Sequence, residues 1–132
     1  PFKASSIAFL SGERISVSSV AACENALVST GFPYEIARRV DEILERMRPV
    51  LSSCQGVRRC GAAALDLAWT ACGRFDAFYE DELKPWDMAA GALLVTEAGG
   101  TVSNLDGSPF DLRWSILAGN KAMHELIGKM IR

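Results

Sequence analysis

The sequence predicts an α/β layered fold with a mixed, partly parallel sheet, on three observations. Short β-like runs alternate with helical stretches along most of the chain, the order that builds a layered sheet with helices packed on it. Glycines and prolines fall at the joints between these stretches, where chain reversal needs them. The stretch ELKPWDMAAGALLVTEAGG, residues 82 to 100, reads as a helix apolar almost all the way round, which must be covered on every side. Its 132 residues suit one domain, 1–132, long enough to bury a core.

Each element has its own signal. Ser6 to Leu10 and Arg14 to Val17 read as strands around Ser11-Gly12, a hairpin pattern. Ala26 to Thr30 is a third strand, closed by Gly31-Phe32-Pro33. From Tyr34 to Arg48 the apolar Ile36, Val40, Ile43, Leu44 and Met47 recur at helical spacing. Arg38, Arg39, Asp41, Glu42, Glu45 and Arg46 between them form a solvated face carrying ion pairs, and Pro49 is expected to end the helix. Val57 to Cys60 is a strand. Gly61 to Cys72 is a helix with Leu65, Ala68, Trp69 and Cys72 as its inner stripe and Gly73 as its stop. Arg74 to Glu80 is an aromatic-rich strand. Pro85 opens the apolar helix, which runs to Ala98 before Gly99-Gly100. Thr101 to Leu105 and Trp114 to Ala118 are strands around an Asp106-Gly107 turn, and an amphipathic helix from Asn120 to Ile131 closes the chain.

Composition narrows the function classes. A net charge of −2 offers no electrostatic basis for binding nucleic acid or a membrane surface. No apolar run reaches bilayer length and no signal peptide opens the chain. Cys23, Cys54, Cys60 and Cys72 match no zinc spacing, so they are expected to be reduced thiols of a cytoplasmic protein, with a Cys54–Cys60 bridge unsupported. The chain starts Pro1-Phe2-Lys3 without methionine, so it is expected to be a piece of a longer protein.

Chemistry in an open α/β sheet gathers where strands end and helices begin. Two such joints fall on one edge here. Gly61, Ala62 and Ala63 are small enough to let a ligand approach the free N–H groups of a helix start. Glu80 ends the next strand and Asp87 stands in the first turn of the helix after it. Backbone donors with two carboxylates suit a polyhydroxylated, metal-bound ligand. Plainer readings stay open. Asp87 is an acid that a helix dipole favours; Glu80-Asp81-Glu82 is the kind of run that forms a solvated turn; Gly61 to Ala64 suit close helix packing. His124 has no acid or thiol placed to pair with it and reads as a surface residue.

Trp86-Asp87-Met88-Ala89-Ala90-Gly91, continuing to Glu97-Ala98-Gly99-Gly100, resembles the C-terminal signature of the inositol monophosphatase family. Gly12-Glu13-Arg14-Ile15, Thr30-Gly31-Phe32-Pro33, Arg59 through Ala64-Leu65-Asp66-Leu67-Ala68, Gly73-Arg74 through Asp76-Ala77-Phe78 and Pro109-Phe110-Asp111 follow in that family's order. The resemblance implies the C-terminal half of an αβαβα sandwich. It implies Mg²⁺-dependent, lithium-sensitive hydrolysis of phosphate monoesters such as inositol monophosphate, in a cytoplasmic homodimer. It assigns Asp87 to a catalytic metal beside the substrate, Glu80 to inositol hydroxyls, and the backbone of Gly61, Ala62 and Ala63 to the sugar.

Two departures stand out. The family usually has Ser or Thr where this chain has Ala62. Its remaining metal ligands lie in an N-terminal half, in a glutamate and an Asp-Pro-x-Asp-Gly-Thr segment, and Asn104-Leu105-Asp106-Gly107 is no substitute. The partner implied is therefore that N-terminal half. Relatives acting on fructose bisphosphate, histidinol phosphate or adenosine bisphosphates share the signature. A binding or assembly module of the same fold is the alternative from a different class.

Overall fold

The computed structural model describes residues 8–132. Ser6 and Ile7 of the first predicted strand lie outside the described residues. The hairpin forms as expected: β1 (Ala8–Leu10) pairs antiparallel with β2 (Glu13–Ile15). Ser11 and Gly12 both take positive φ (52° and 83°), the geometry a two-residue hairpin turn requires.

The remaining strands make one mixed sheet. β3 (Leu27–Thr30), β4 (Gly56–Arg58), β5 (Ala77–Asp81), β6 (Thr101–Ser103) and β7 (Ser115–Gly119) lie in the order β4-β3-β5-β7-β6. β4, β3 and β5 run parallel, and β7 and β6 complete the sheet antiparallel. Helices α1 (Val40–Ser53), α2 (Ala63–Ala71), α3 (Pro85–Glu97) and α4 (Lys121–Ile131) cover both faces. One core packs Leu67 and Ala71 of α2 and Met88, Ala92 and Val95 of α3 against Phe78 and Ile116. The other packs Val50 of α1 and Met123 and Ile127 of α4 against Val28, Ala77, Tyr79 and Leu117. The alternation along β5, with Ala77 and Tyr79 facing one core and Phe78 the other, is the period-2 pattern of a strand covered on both sides. The fold is the predicted layered α/β architecture with a mixed sheet.

Several expectations need correction. The first helix starts at Val40, after a short 3₁₀ turn over Ile36–Arg38, and passes through Pro49 to Ser53. Proline removes one helical hydrogen bond, to the carbonyl of Glu45, but Glu45 is exposed and water can serve that carbonyl. Fully buried Val50 anchors the turn beyond it. Ile36, Val40 and Leu44 are exposed, and Ile43 and Val50 carry the inward face. In α2 the buried positions are Asp66, Leu67, Thr70 and Ala71, while Leu65 stands in solvent. α3 is not covered all round: Met88, Gly91, Ala92 and Val95 face inward, while Trp86 (78%) and Leu93 (61%) are exposed.

The charged face of α1 is not simply solvated. Arg39 and Arg46 both reach the buried Asp81 at the end of β5, at 2.7 and 3.0 Å, and Arg39 also holds Glu82 at 2.8 Å. Glu42 bonds both arginines. The acidic run after β5 is thus clamped to α1. His124 is half-buried rather than superficial, with Nε2 2.8 Å from the Ser103 hydroxyl, and burial lowers its pKa, helped by the Arg132 charge. The four cysteines are free, so no Cys54–Cys60 bridge forms. Burial, with Cys23 beside it, pushes the Cys54 thiol up to about 11.

α2 and α3 touch closely because Gly91 faces Leu67; a Cβ on Gly91 would overlap the Leu67 side chain. Both lie in helices whose partners are fixed by the core, so neither can retreat cheaply. Gly91→Ala should therefore destabilise the fold by about 1–3 kcal/mol despite its better helix propensity. Urea denaturation would check this, and a more stable variant would contradict it.

Candidate active site

Adjacent parallel strands β3 and β5 send their chains to opposite faces, β3 toward α1 and β5 toward α3. Such divergence leaves a crevice at the carboxyl ends of the two strands, the usual ligand position in open α/β sheets. A cleft of about 520 Å³ occupies that place. Three strand ends line it: Gly31-Phe32-Pro33 after β3, Arg59 and Gly61-Ala62-Ala63 after β4, and Glu80, Glu82, Lys84 and Asp87 from β5 into α3. The two joints expected from sequence do converge here. Asp87, Glu80, Gly61, Ala62 and Ala63 share one cleft.

Glu80 is placed by the sheet. β3 and β5 are in register, Ser29 opposite Phe78 and Thr30 opposite Tyr79, so Gly31 falls level with Glu80 on the α2/α3 side. The Glu80 carboxylate occupies the volume a side chain at 31 would take, since a Cβ there would overlap it. Burial pushes the Glu80 carboxyl up to about 7, with Asp66, Asp81 and Asp87 adding like charge and Arg59 opposing.

Asp87 is placed by its helix. Pro85 supplies the first turn, where its missing N–H costs nothing. Asp87 Oδ2 accepts a hydrogen bond from the Lys84 N–H at 2.9 Å, closing the helix start. Asp87 thus has a local role at its helix start, as the plainer reading of an acid in a first turn allows, and that role occupies only Oδ2. Just before it, Glu82 takes the left-handed conformation (φ 56°), uncommon outside glycine. Its ion pair to Arg39 and the Leu83 N–H bond to Trp114 O (3.1 Å) hold that turn.

Ala62 is the N-cap of α2 and has no side chain to cap it. The hydroxyl of a Ser or Thr would accept from the first-turn amides. With alanine, no side-chain oxygen competes for the amides that open α2, where Gly61 (φ 86°), Ala62 and Ala63 line the cleft. Gly31 and Arg59, part of the family motifs, were not singled out as site residues from sequence. The glycine ending β3 was the available signal, because β3 is the parallel neighbour of β5. Arg59 lies over the Phe32 ring, 5.7 Å from its centre, as the cationic wall of the cleft.

A depression of similar size, about 510 Å³, lies beyond α1 near Trp114. Its Arg39, Arg46, Glu42 and Asp81 already pair with one another. It is a clamp rather than a site.

One strand-end cleft thus brings together a helix-start carboxylate, a half-sunk glutamate and the small residues that open α2. The sequence profile of the inositol monophosphatase family matches residues 3–132, and the chain belongs to that family. It is 49% identical over 116 residues to the Nus factor SuhB of Pseudomonas aeruginosa, covering 86% of this chain and 43% of that protein. It is 41% identical over 128 residues to the inositol-1-monophosphatase of Caulobacter vibrioides, covering 95% and 50%. Among solved structures, the extragenic suppressor protein suhB of Bartonella henselae superposes with a TM-score of 0.89 at 38% identity, covering 94% of this chain and 48% of that one. The chain spans about half the length of these relatives.

The raised Glu80 pKa has a consequence for stability. Between its ordinary value near 4.5 and about 7 the folded chain holds a proton that the unfolded chain has released, so this group's contribution falls as pH rises through that window. Asp66, also raised by burial, acts in the same sense. Glu80→Gln should therefore gain stability relative to the unsubstituted chain from pH 4.5 to 7 and hold that gain above. Denaturation at a series of pH values reads it; a constant difference would contradict the assignment.

Proposed function

We propose that this chain is the sugar-facing half of a phosphatase that hydrolyses phosphate monoesters, inositol monophosphate foremost. The observation that carries it is the convergence of Asp87, Glu80 and the α2 amides on one cleft, within a family signature that runs the length of the chain. Glu80 and the amides of Gly61 to Ala63 bind and orient the hydroxyls, and Asp87 marks where the phosphate ester lies. Fructose bisphosphate, histidinol phosphate and adenosine bisphosphates are the competing substrates.

Mg²⁺ is the cofactor in this reading. Asp87 fits it in part: it is a carboxylate fixed by its helix with one oxygen uncommitted to the cap. Among the described residues no group of three or more His, Cys, Asp or Glu could hold a metal ion, so further ligands must come from elsewhere. When bound, the ion activates water and stabilises charge on the phosphoryl and leaving oxygens. An N-terminal half would supply those ligands and the phosphate cradle, and would cover the exposed Trp86 and Leu93 of α3. Lithium sensitivity, a homodimer and a cytoplasmic location belong to the same reading. No helix among the described residues is long and apolar enough to cross a membrane.

A second reading rests on the same apolar face and on the 49% identity to a protein named as a Nus factor. Here the chain serves as an assembly module, with α3 as its contact. Sedimentation tests this second reading: a well-behaved monomer with no concentration dependence counts against assembly.

In a complete protein, Asp87→Ala should abolish turnover of inositol monophosphate. Glu80→Gln should mainly raise KM, because it removes binding shared by ground and transition states. Equal collapse of kcat in both variants would show these roles wrongly divided. A panel of phosphate esters assayed alongside ranks the substrates.

The chain by itself should be catalytically silent. A single carboxylate cannot displace enough water from Mg²⁺ to hold it tightly. Calorimetric titration with Mg²⁺, with and without inositol phosphate, should show no saturable tight site and no phosphate release. Turnover by the chain alone that vanishes in Asp87→Ala would refute this.

A further inference from the structure

Asp66 sits in the first turn of α2, one turn along from the amides that line the cleft. It is 1% exposed, and neither carboxyl oxygen has a hydrogen-bond partner in the protein. The Ser29 hydroxyl, also fully buried and also unpartnered, belongs to the same sheet face. Period-2 alternation puts Ser29 and Gly31 of the β3 segment, and Phe78 and Glu80 of β5, on the side that α2 covers. Asp66 therefore lies under the floor of the cleft, on the side from which Glu80 enters it. An unpaired charged carboxylate in so dry a position costs several kcal/mol, roughly, and such a group keeps its proton or shares one.

The neighbours agree. Burial pushes the Asp66 carboxyl up; Cys60, Ser29 and Arg59 pull the other way without completing a hydrogen bond to it. The groups acting on Glu80 are Asp66 from α2, Arg59 from the loop after β4, Asp81 of its own strand and Asp87 of α3. Of these, Asp66 acts most strongly on Glu80. Two carboxyls so placed, with one arginine near, cannot both ionise freely.

We propose that Asp66 is a positioning residue of this site: sealed beneath the floor with neither oxygen partnered, its carboxyl is coupled to that of Glu80 so that the two hold one proton between them. Glu80 then meets adjacent hydroxyls both as acceptor and, part of the time, as donor. A polyol with neighbouring hydroxyls is the ligand chemistry this suits, and that step rests on the sugar-binding role proposed above.

The test is carboxyl ¹³C NMR of the chain through pH 4 to 9. In the unsubstituted chain the Asp66 and Glu80 carboxyl signals should each follow two steps. In Asp66→Asn, Glu80 should titrate in one step, displaced downward by about one pH unit. Glu80→Gln should simplify Asp66 in the same way, and it serves should Asp66→Asn fail to fold. Single-step titrations in the unsubstituted chain, unmoved by substitution of the other residue, would overturn the coupling. In a complete protein, the pH profile of KM for inositol phosphate should shift with the Glu80 midpoint in Asp66→Asn, more than kcat does; an NMR shift without it overturns the positioning role. Absence of turnover in the unsubstituted complete protein strikes at the proposed hydrolysis instead, and the titration still decides the coupling.

Discussion

The structure turns on one steric constraint: Glu80 fills the space that a side chain at residue 31 would occupy. β3 and β5 are parallel and in register, so whatever stands at 31 lies level with 80 on the same face. Two side chains cannot share that volume at the end of the sheet. Glycine at 31 resolves it, and the carboxylate is thereby sunk far enough to be pushed up to about 7 yet still line the cleft. Register, glycine and a perturbed acid are one fact seen at three levels. The divergence of α1 and α3 to opposite faces then opens the crevice into which that acid looks.

A second arrangement keeps the crevice in shape. The chain must leave β5 and enter α3 within three residues, and it does so through Glu82 in a left-handed conformation. That conformation costs roughly 1 kcal/mol or more and needs outside support. Arg39 supplies it by bonding Asp81 and Glu82 together, with Arg46 behind it on the same Asp81 oxygen. Because Asp81 is buried, losing both arginines would leave its charge uncompensated in a dry place, and two partners on one carboxylate make the network resist loosening more than an exposed pair does. α1, remote in sequence from the signature around Trp86, thus fixes the angle at which Asp87 is presented.

Much of this was legible in the sequence, and for physical reasons. The strand–helix alternation, the Ser11-Gly12 hairpin, Pro85 at a helix start and Gly73 and Gly99 at helix ends are local signals, and local structure followed them. The convergence of Gly61 to Ala63, Glu80 and Asp87 was legible because parallel strands place successive joints on one edge. What failed was long-range. Pro49 reads locally as a stop, but the burial of Val50 carries the helix past it. Arg39, Arg46 and Asp81 read as solvated charge because their partners are about forty residues apart in the chain. Leu65 was expected inward because helical periodicity favours leucine there, and only the approach of β3 and β5 shows that Asp66, its neighbour, is the buried one.

Asp87, a carboxylate at the mouth of an apolar helix, has a structural role that leaves one of its oxygens uncommitted. Asp87 Oδ2 accepts from the Lys84 N–H and so closes the helix start. That same bond removes the side chain's freedom to rotate, at no cost to its second oxygen. A carboxylate held by its own cap is preorganised: the entropy of fixing it is lost on folding rather than in any later contact. The buried face of α3, with Met88, Ala92 and Val95 in the core and Gly91 against Leu67, prevents the helix from sliding or turning to relax that geometry. The apolar helix is therefore the mount for its first turn. Its outer face leaves Trp86 and Leu93 exposed, so the mount is held from the inner side alone.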